Sequence, residues 1–285
     1  MKNAKIVKCR LCGSKNTRLL FSKQTFLEYD NKVWSIYECC DCSLKFIKND
    51  QPFDYEKFYD FRYKDRVIDD NYIYQNSKYW KHEAKILSRV LPQKSIRIID
   101  IGCNAGNFLY HSPKTWIKFG VELSDLAIIG RKHGLTILQQ NIEDIEINNN
   151  FFDIITMYAL MEHLVNIEKV FDKIHSILKP NGILAVMTAD SNSLKAKLKG
   201  QNWHMYSPPE HQFFFTAKSL DIFLAKYDFQ LIYRYYNSGG MADYFKNKCL
   251  TEIIAIIQSR AMDRSFIKKF PIFDHMYSYY KLLKE

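Results

Sequence analysis

The sequence predicts an α/β fold, a doubly wound and mostly parallel sheet, preceded by a small cysteine-rich ribbon and followed by a helical segment. Three observations carry the prediction. Ile96, Ile98, Ile99 and Ile101 make a nearly continuous β-branched run, the composition of a strand buried on both faces. Around Asp100 this strand ends in a turn bracketed by Gly102 and Gly106, where the lack of a Cβ permits a tight bend and close approach of the backbone to a ligand. Two Cys-x-x-Cys pairs, Cys9 with Cys12 and Cys39 with Cys42, stand apart from that core near the N-terminus.

A chain of 285 residues, 47% of them hydrophobic, is long enough for one large domain with a satellite. Its apolar runs are far shorter than the roughly 20 residues that span a bilayer, so no transmembrane segment is expected. The first residues carry charge with no hydrophobic stretch after them, and no secretory signal is expected. Seven cysteines, an odd number, fit a reducing cytoplasmic location. The net charge of +10 favours acidic partners such as phosphorylated substrates, nucleic acid or anionic membrane; a compositional bias of the source explains it equally well.

In chain order, residues 1–50 read as a zinc ribbon. Each Cys-x-x-Cys pair presents two thiolates from a tight knuckle, and two knuckles supply the tetrahedral set Cys9, Cys12, Cys39 and Cys42, with Cys40 left over. Four protein ligands close the site, so the expected Zn2+ is structural. Strand-like residues between the pairs, Leu19 to Phe21 and Val33 to Tyr37, form a hairpin whose core is too thin to stand without the metal. Residues 51–78 are dense in Tyr, Phe, Asp and Lys and read as an aromatic linker or a lid, and residues 79–91 show the apolar spacing of a helix leading into the first core strand.

After the glycine turn a helix is expected from Asn107, its N-terminal amides facing the ligand. Residues 116–121 form the second strand, ending in Glu122, an acid placed to accept both hydroxyls of a ribose. Helix 126–133 stops at Gly134, strand 135–138 follows, and Phe152 to Met157 make the fourth strand. Glu162-His163 comes next, then a Lys-Pro-Asn-Gly turn and a fifth strand over 183–188.

These motifs, in this order over residues 79–236, resemble the class I S-adenosylmethionine (SAM)-dependent methyltransferases, whose first motif is an Asp-x-Gly-x-x-x-Gly strand-to-helix turn. The resemblance implies a Rossmann-like sheet, SAM as cofactor, and a cofactor surface made by Asp100, Gly102, Cys103, Asn104, Gly106, Phe108, Glu122, Leu123, Asn141, Ile142, Met157 and His163. Asn104 stands where the family often has a third glycine, and Asn141 where an acid accepts from the adenine amino group; Asn accepts through its amide oxygen but brings no charge. Metal-dependent relatives carry a further acid three residues before Glu162, and Ala159 occupies that position here.

The stretch Trp203-His204-Met205-Tyr206-Ser207-Pro208-Pro209-Glu210-His211 and the Phe213 to Phe215 run after it resemble a pattern of bacterial methyltransferases acting on sugars and cell-surface polysaccharides. In the zinc-ribbon members that act on nucleotide-linked sugars, a Glu-His pair here includes the base. That implies His211 as general base, Glu210 as its orienting partner, and Trp203, His204 and Tyr206 as acceptor contacts. Pro209 replaces a Tyr of those enzymes and their long C-terminal extension is absent, which favours O-methylation over C-methylation. A sixth strand is expected over 229–236. Residues 237–285 read as helical, with no seventh strand and a basic amphipathic stretch around Phe266 that packs on the core, a partner or a membrane.

The expected function is methylation of a sugar or nucleotide-sugar acceptor, a phosphorylated sugar or a capsular polysaccharide precursor. Two rivals remain: an RNA methyltransferase that recognises nucleic acid through the ribbon, and a noncatalytic SAM-binding or scaffolding subunit. The ribbon has no Lys/Arg cluster interleaved with aromatics, which argues against the first. A homo-oligomer is compatible with the sequence.

Overall fold

The computed structural model describes residues 6–25, 29, 31–48, 53–63, 69–237 and 273–284. The N-terminal strands β1 (Thr17–Gln24), β2 (Val33–Cys39) and β3 (Lys45–Ile47) pair antiparallel in sequence order. The aromatic segment folds into helix α1 (Tyr55–Tyr63) and a 3-10 turn at Asp70–Tyr74, then α2 (Ser77–Val90) leads into the core. Strands β4 (Arg97–Ile101), β5 (Ile117–Val121), β6 (Thr136–Leu138) and β7 (Phe152–Tyr158) alternate with α3 (Asn107–His111) and α4 (Leu126–Lys132). After α5 (Ile167–Ile177) come β8 (Leu178–Ala189), α6 (Leu194–Lys199), the short β9 (Phe213–Phe214), α7 (Ala217–Ala225), β10 (Phe229–Asn237) and β11 (His275–Leu282).

The central sheet has the order β10-β11-β8-β7-β4-β5-β6, with β6, β5, β4, β7 and β8 parallel and β11 antiparallel to both its neighbours. This is the mixed α/β, mostly parallel architecture that the isoleucine run predicts. Alternate residues feed two cores: Ile98, Ile154 and Ala185 pack on one face, Ile99, Ile155 and Leu184 on the other, all essentially buried. Each of the isoleucines and the leucine contributes about 1.5–3 kcal/mol relative to an exposed one. Chain order reverses between β4 and β7, and sheets of this kind bind ligands beyond the strand ends at that point.

The structure corrects the reading of the C-terminus. A seventh strand exists: β11 inserts between β8 and β10, its Met276, Tyr280 and Leu282 in one core and Tyr277 and Tyr279 in the other. Tyrosines alternate here because their hydroxyls find partners: those of Tyr235 and Tyr279 donate to the carboxyl group of Glu83, fully buried on α2. Burial pushes that acid up to about 7, against the lowering effect of the two hydroxyls. The expected Lys-Pro-Asn-Gly turn lies inside β8 as an irregularity, where pairing with β7 jumps from Phe152↔Leu178 to Ile154↔Ile183 and Asn181 takes φ +63°. Most of the segment expected to be helical, residues 238–272 with the basic stretch around Phe266, lies outside the described residues. No helix among the described residues is long and apolar enough to cross a membrane.

The ribbon strands do not form a sheet by themselves. Their sheet takes in a fourth strand from the core, in the order β1-β2-β3-β9, with Lys45 opposite Phe214 and Phe46 opposite Phe213. The strand that begins two residues after His211 therefore belongs to the ribbon's hydrogen-bonding network.

Candidate active site

At the end of β4, Asp100 is 4% exposed and accepts from Thr156 Oγ1 across the β4–β7 boundary at 2.6 Å. Burial, and then Glu122, drives its carboxyl up to about 7, against the hydrogen bond from Thr156. Gly102 and Gly106 hold φ of +71° and +78°, and a Cβ on Gly106 would lie 2.4 Å from Leu135. Asn104 takes the left-handed conformation too, φ +57°, which asparagine tolerates, so it does the work of the third glycine. The two oxygens of Glu122 accept from the amides of Asn104 at 2.8 Å and Ser124 at 2.9 Å, pinning the turn while each oxygen keeps a second lone pair.

Leu123 is exposed and Ile142 buried, and Asn141 is exposed beside Asp144. Cys103 and Phe108 are buried. Met157, expected to line the cleft, is instead fully buried with the core residues on the face opposite Thr156 and Tyr158. Beside Phe108 sit the Tyr158 hydroxyl, on a residue expected with Met157 to line the cofactor cleft, and Trp80 Nε1, which sequence reasoning did not single out; both are on residues more than nine-tenths buried and have no hydrogen-bond partner among the described residues. Buried orphaned donors beside a glycine turn and a buried acid fit the carboxylate and ammonium ends of an amino-acid cofactor such as SAM.

The proline-rich loop brings His211 to the same end of the sheet. Its Nδ1 lies 2.7 Å from the Met205 carbonyl oxygen; a carbonyl only accepts, so Nδ1 carries the proton and Nε2 holds the lone pair. His163 is held the same way, with Nδ1 3.0 Å from the Glu210 carbonyl oxygen, and its ring meets that of His211 edge-on at 4.7 Å. Burial, followed by the neighbouring His211, lowers His163 to about 3, so it is neutral at physiological pH. Glu162 is buried, receives a hydrogen bond from Thr188, and offers a donor atom within 4.8 Å of one on each histidine. The trio can share a proton or a cation, though the acid of metal-dependent relatives is replaced by Ala159.

Two expectations for this loop are corrected. Glu210 does not orient His211: its side chain meets Arg62 at 3.5 Å and Ser207 at 3.2 Å, and the Met205 carbonyl does the orienting. Trp203 is fully buried, its Nε1 donating to Asp274 at 3.0 Å, so it anchors the loop to the start of β11 and offers no surface to an acceptor. The aromatic segment takes part directly, since Tyr55 receives a bond from Gln212 and the Tyr59 hydroxyl lies 3.4 Å from His163 Nδ1. His204 is exposed, and Tyr206 is buried with its ring against Phe21, Trp203 and Phe214.

Behind the loop, the sulfurs of Cys9 and Cys42 lie 3.6 Å apart and those of Cys12 and Cys39 3.5 Å, all four within 4.8 Å of one another. A tetrahedral zinc with bonds of about 2.3 Å sets its sulfurs about 3.8 Å apart, so the cluster fits that ion. Matching turns, Gly13 N to Cys9 O and Ser43 N to Cys39 O, close the two knuckles with left-handed residues at Gly13 and Ser43. Between Cys9 and Cys12, Arg10 donates to Gln212 Oε1 and the Val165 carbonyl, both at 3.1 Å, and lies over the Phe213 ring. Gln212 in turn donates its amide to the Glu162 carbonyl at 2.7 Å.

A glycine turn, an acid at the next strand end and a histidine-bearing loop over a seven-stranded sheet with an antiparallel strand define a methyltransferase-type cofactor fold. The methyltransferase-domain family matches residues 72–234, more than half of the chain, and the chain belongs to that family. The ubiquinone biosynthesis O-methyltransferase of Rickettsia prowazekii is 31% identical over 126 residues, 41% of this chain and 48% of that protein. An uncharacterized protein of Methanocaldococcus jannaschii is 26% identical over 130 residues, 45% of this chain and 61% of that one. The chain thus spans about half the length of the curated relatives it matches. Among solved structures, a SAM-dependent methyltransferase of Thermotoga maritima, described as a possible histamine N-methyltransferase, superposes with a TM-score of 0.53 at 17% identity, over 81% of this chain and 98% of that one. A chain from the complex of a methyltransferase with its activator from Haloferax volcanii gives 0.52 at 12%, over 81% and 97%.

Proposed function

We propose that this chain transfers the methyl group of SAM to a hydroxyl of a nucleotide-linked or phosphorylated sugar, or of a related capsular polysaccharide precursor. The observation that carries the reading is the pair of imidazoles, His211 and His163, each with Nδ1 turned onto a backbone carbonyl at the strand ends where Asp100 and the glycine turn lie. The sulfonium of the cofactor supplies an electrophilic methyl group. Asp100 anchors the cofactor's ammonium, the remaining lone pairs of Glu122 take the ribose hydroxyls, and Leu123, Asn141 and Ile142 flank the adenine. Nε2 of His211 removes the acceptor's hydroxyl proton as the in-line displacement proceeds, and Glu162 stabilises the resulting imidazolium. His204 and Tyr206 orient the acceptor. Zinc at Cys9, Cys12, Cys39 and Cys42 is structural in this reading.

One observation favours the RNA alternative. A depression of about 850 Å3 is lined by Lys81, Lys114, Lys118, His111 and His133 beside Tyr74 and Tyr110. It opens at the N-terminal ends of β5 and β6, marked by Ile117 and Thr136, the opposite end of the sheet from Asp100. An acceptor held there is out of reach of the methyl group.

The reading is tested by mass spectrometry of methyl transfer from SAM to a panel of nucleotide sugars and sugar phosphates, with total RNA in parallel. Methylation of a sugar supports it; methylation of RNA alone overturns it. A second expectation concerns the anchor. With the Asp100 carboxyl raised to about 7, protons compete with the cofactor's ammonium below that pH, so SAM affinity is expected to fall about tenfold per unit as the pH drops. In Asp100→Asn this dependence should vanish and affinity stay low. Calorimetric titration between about pH 5.5 and 8.5 reads both, and a wild-type Kd that ignores pH removes Asp100 from the role.

A further inference from the structure

Between the ribbon sheet and α6 runs a groove of about 370 Å3 whose lining includes Arg18, Glu38, Lys45, Ser191, Lys197 and Tyr206. Three of these six are cationic and one is acidic. Glu38 is already engaged: its Oε2 accepts two bonds from Arg18, at 2.6 and 2.9 Å, and its Oε1 is 4.0 Å from Lys45 Nζ. Lys45 is the unusual member. Its side chain is 13% exposed, yet its ammonium donates at 3.1 Å only to neutral oxygens, the carbonyl and hydroxyl of Ser191, among the described hydrogen bonds. Burial lowers its pKa, so the charge is held in place at a cost that a strongly anionic partner would offset. The Tyr206 hydroxyl borders the same groove, has no partner among the described hydrogen bonds, and has its pKa raised by burial. Lys23 adds a further cation at the rim, bonded to the carbonyl of Gln201, another residue of the lining.

We propose that this groove binds the phosphate groups of the acceptor, with Lys45, Arg18, Lys197 and the Tyr206 hydroxyl as donors. The proposal rests on the phosphorylated-acceptor reading above and assigns it a place. Tyr206 belongs both to the groove lining and to the loop carrying His211, so groove and histidines share one loop. Ribbon and core each contribute: Arg18 and Lys45 lie on β1 and β3, Lys197 on α6. The ribbon thereby becomes part of acceptor recognition as well as a support. A diphosphate matches three cations better than a single phosphate does, because each nonbridging oxygen can take a charge-assisted bond.

The test uses the full chain and inorganic pyrophosphate as probe, with inorganic phosphate beside it. Isothermal titration is expected to show pyrophosphate binding that weakens with added salt and is about tenfold or more weaker in Arg18→Ala/Lys197→Ala. The charge-matched variant Lys114→Ala/Lys118→Ala, in the depression at the other end of the sheet, should bind like wild type. With a phosphorylated sugar acceptor, the groove variant should raise KM by a similar factor and leave kcat near wild type. Equal binding by both double variants and wild type overturns the groove, as does displacement of pyrophosphate by single-stranded RNA at equal phosphate concentration with no effect of a nucleotide sugar. The two readings fail separately. Pyrophosphate binding that depends on Arg18 and Lys197, without methylation of any sugar, keeps the groove and discards the acceptor; methylation of a sugar phosphate with KM unchanged in the groove variant does the reverse.

Discussion

Replacing His211 with Ala is expected to lower methyl transfer by about 10²–10⁴-fold while SAM binding stays close to wild type, because the change removes a positioned base and leaves the glycine turn untouched. The expectation rests on geometry. The Met205 carbonyl fixes the tautomer, so Nε2 is the lone pair available to an acceptor hydroxyl. Glu162 and His163 line the side on which a proton transferred to His211 must be stabilised. Glu210→Gln supplies the contrast: its carboxyl group meets Arg62 and Ser207, so its loss should cost far less than that of His211. Steady-state turnover, calorimetric SAM binding and a thermal unfolding curve separate chemistry from folding. Turnover of His211→Ala near the wild-type value, with the cofactor still bound, removes the base from this position.

With zinc at the four thiols as proposed, stripping the metal is expected to abolish turnover by a mechanical route. Cys9→Ser, or chelation of zinc, should release the two knuckles, and with them the β3 edge to which Phe213 and Phe214 are bonded. Structural zinc contributes about 10–16 kcal/mol in isolated finger peptides, far more than a two-strand hairpin can replace. Displacing a catalytic group by about 1 Å costs on the order of 10²-fold in rate, so movement of the loop is enough to silence His211. Arg10→Ala isolates this effect. It leaves all four thiols in place but removes the clamp on Gln212 and Val165, so zinc content should hold while turnover falls. Elemental analysis, near-UV circular dichroism and turnover read the three quantities independently. Protein that carries no zinc after growth in metal-replete medium, and folds unchanged as Cys9→Ser, contradicts the zinc assignment.

Much of the central sheet was legible because a strand buried on both faces leaves few compositional options. Ile96 to Ile101 and Phe152 to Met157 are such runs, and both are in the centre of the sheet. The glycine turn was legible for a related reason: φ of +71° and +78° at Gly102 and Gly106 excludes most other residues. Strand β11 was not. Its apolar positions are mostly tyrosines, its partner β8 lies far away in the chain, and its tyrosines belong in a strand only once Glu83 and the two cores are in place around them. Met157 shows a subtler limit, since strand periodicity sends it to the face opposite Thr156 while nothing local says which face meets the ligand.

The histidine-bearing loop divides the same way. That it carries Glu210 and His211 on a rigid, proline-bearing segment was written in the chain. That the two neighbours serve different partners was decided by Arg62 and Ser207 on one and by Met205 on the other, because adjacent side chains on a turn point apart. Trp203 looked like an acceptor contact until Asp274, seventy-one positions away, claimed its indole. By itself the sequence determined the α/β class, the glycine turn with its two acids, the four-cysteine set and the residues of the histidine loop, since each depends on local conformational or ligand chemistry. Only the tertiary structure decided that the ribbon sheet continues into the loop beyond His211, that His163 and His211 face one another, and that Lys45 and Tyr206 line one groove. Those are contacts between segments remote in the chain, and their energy exists only once the intervening core has been packed.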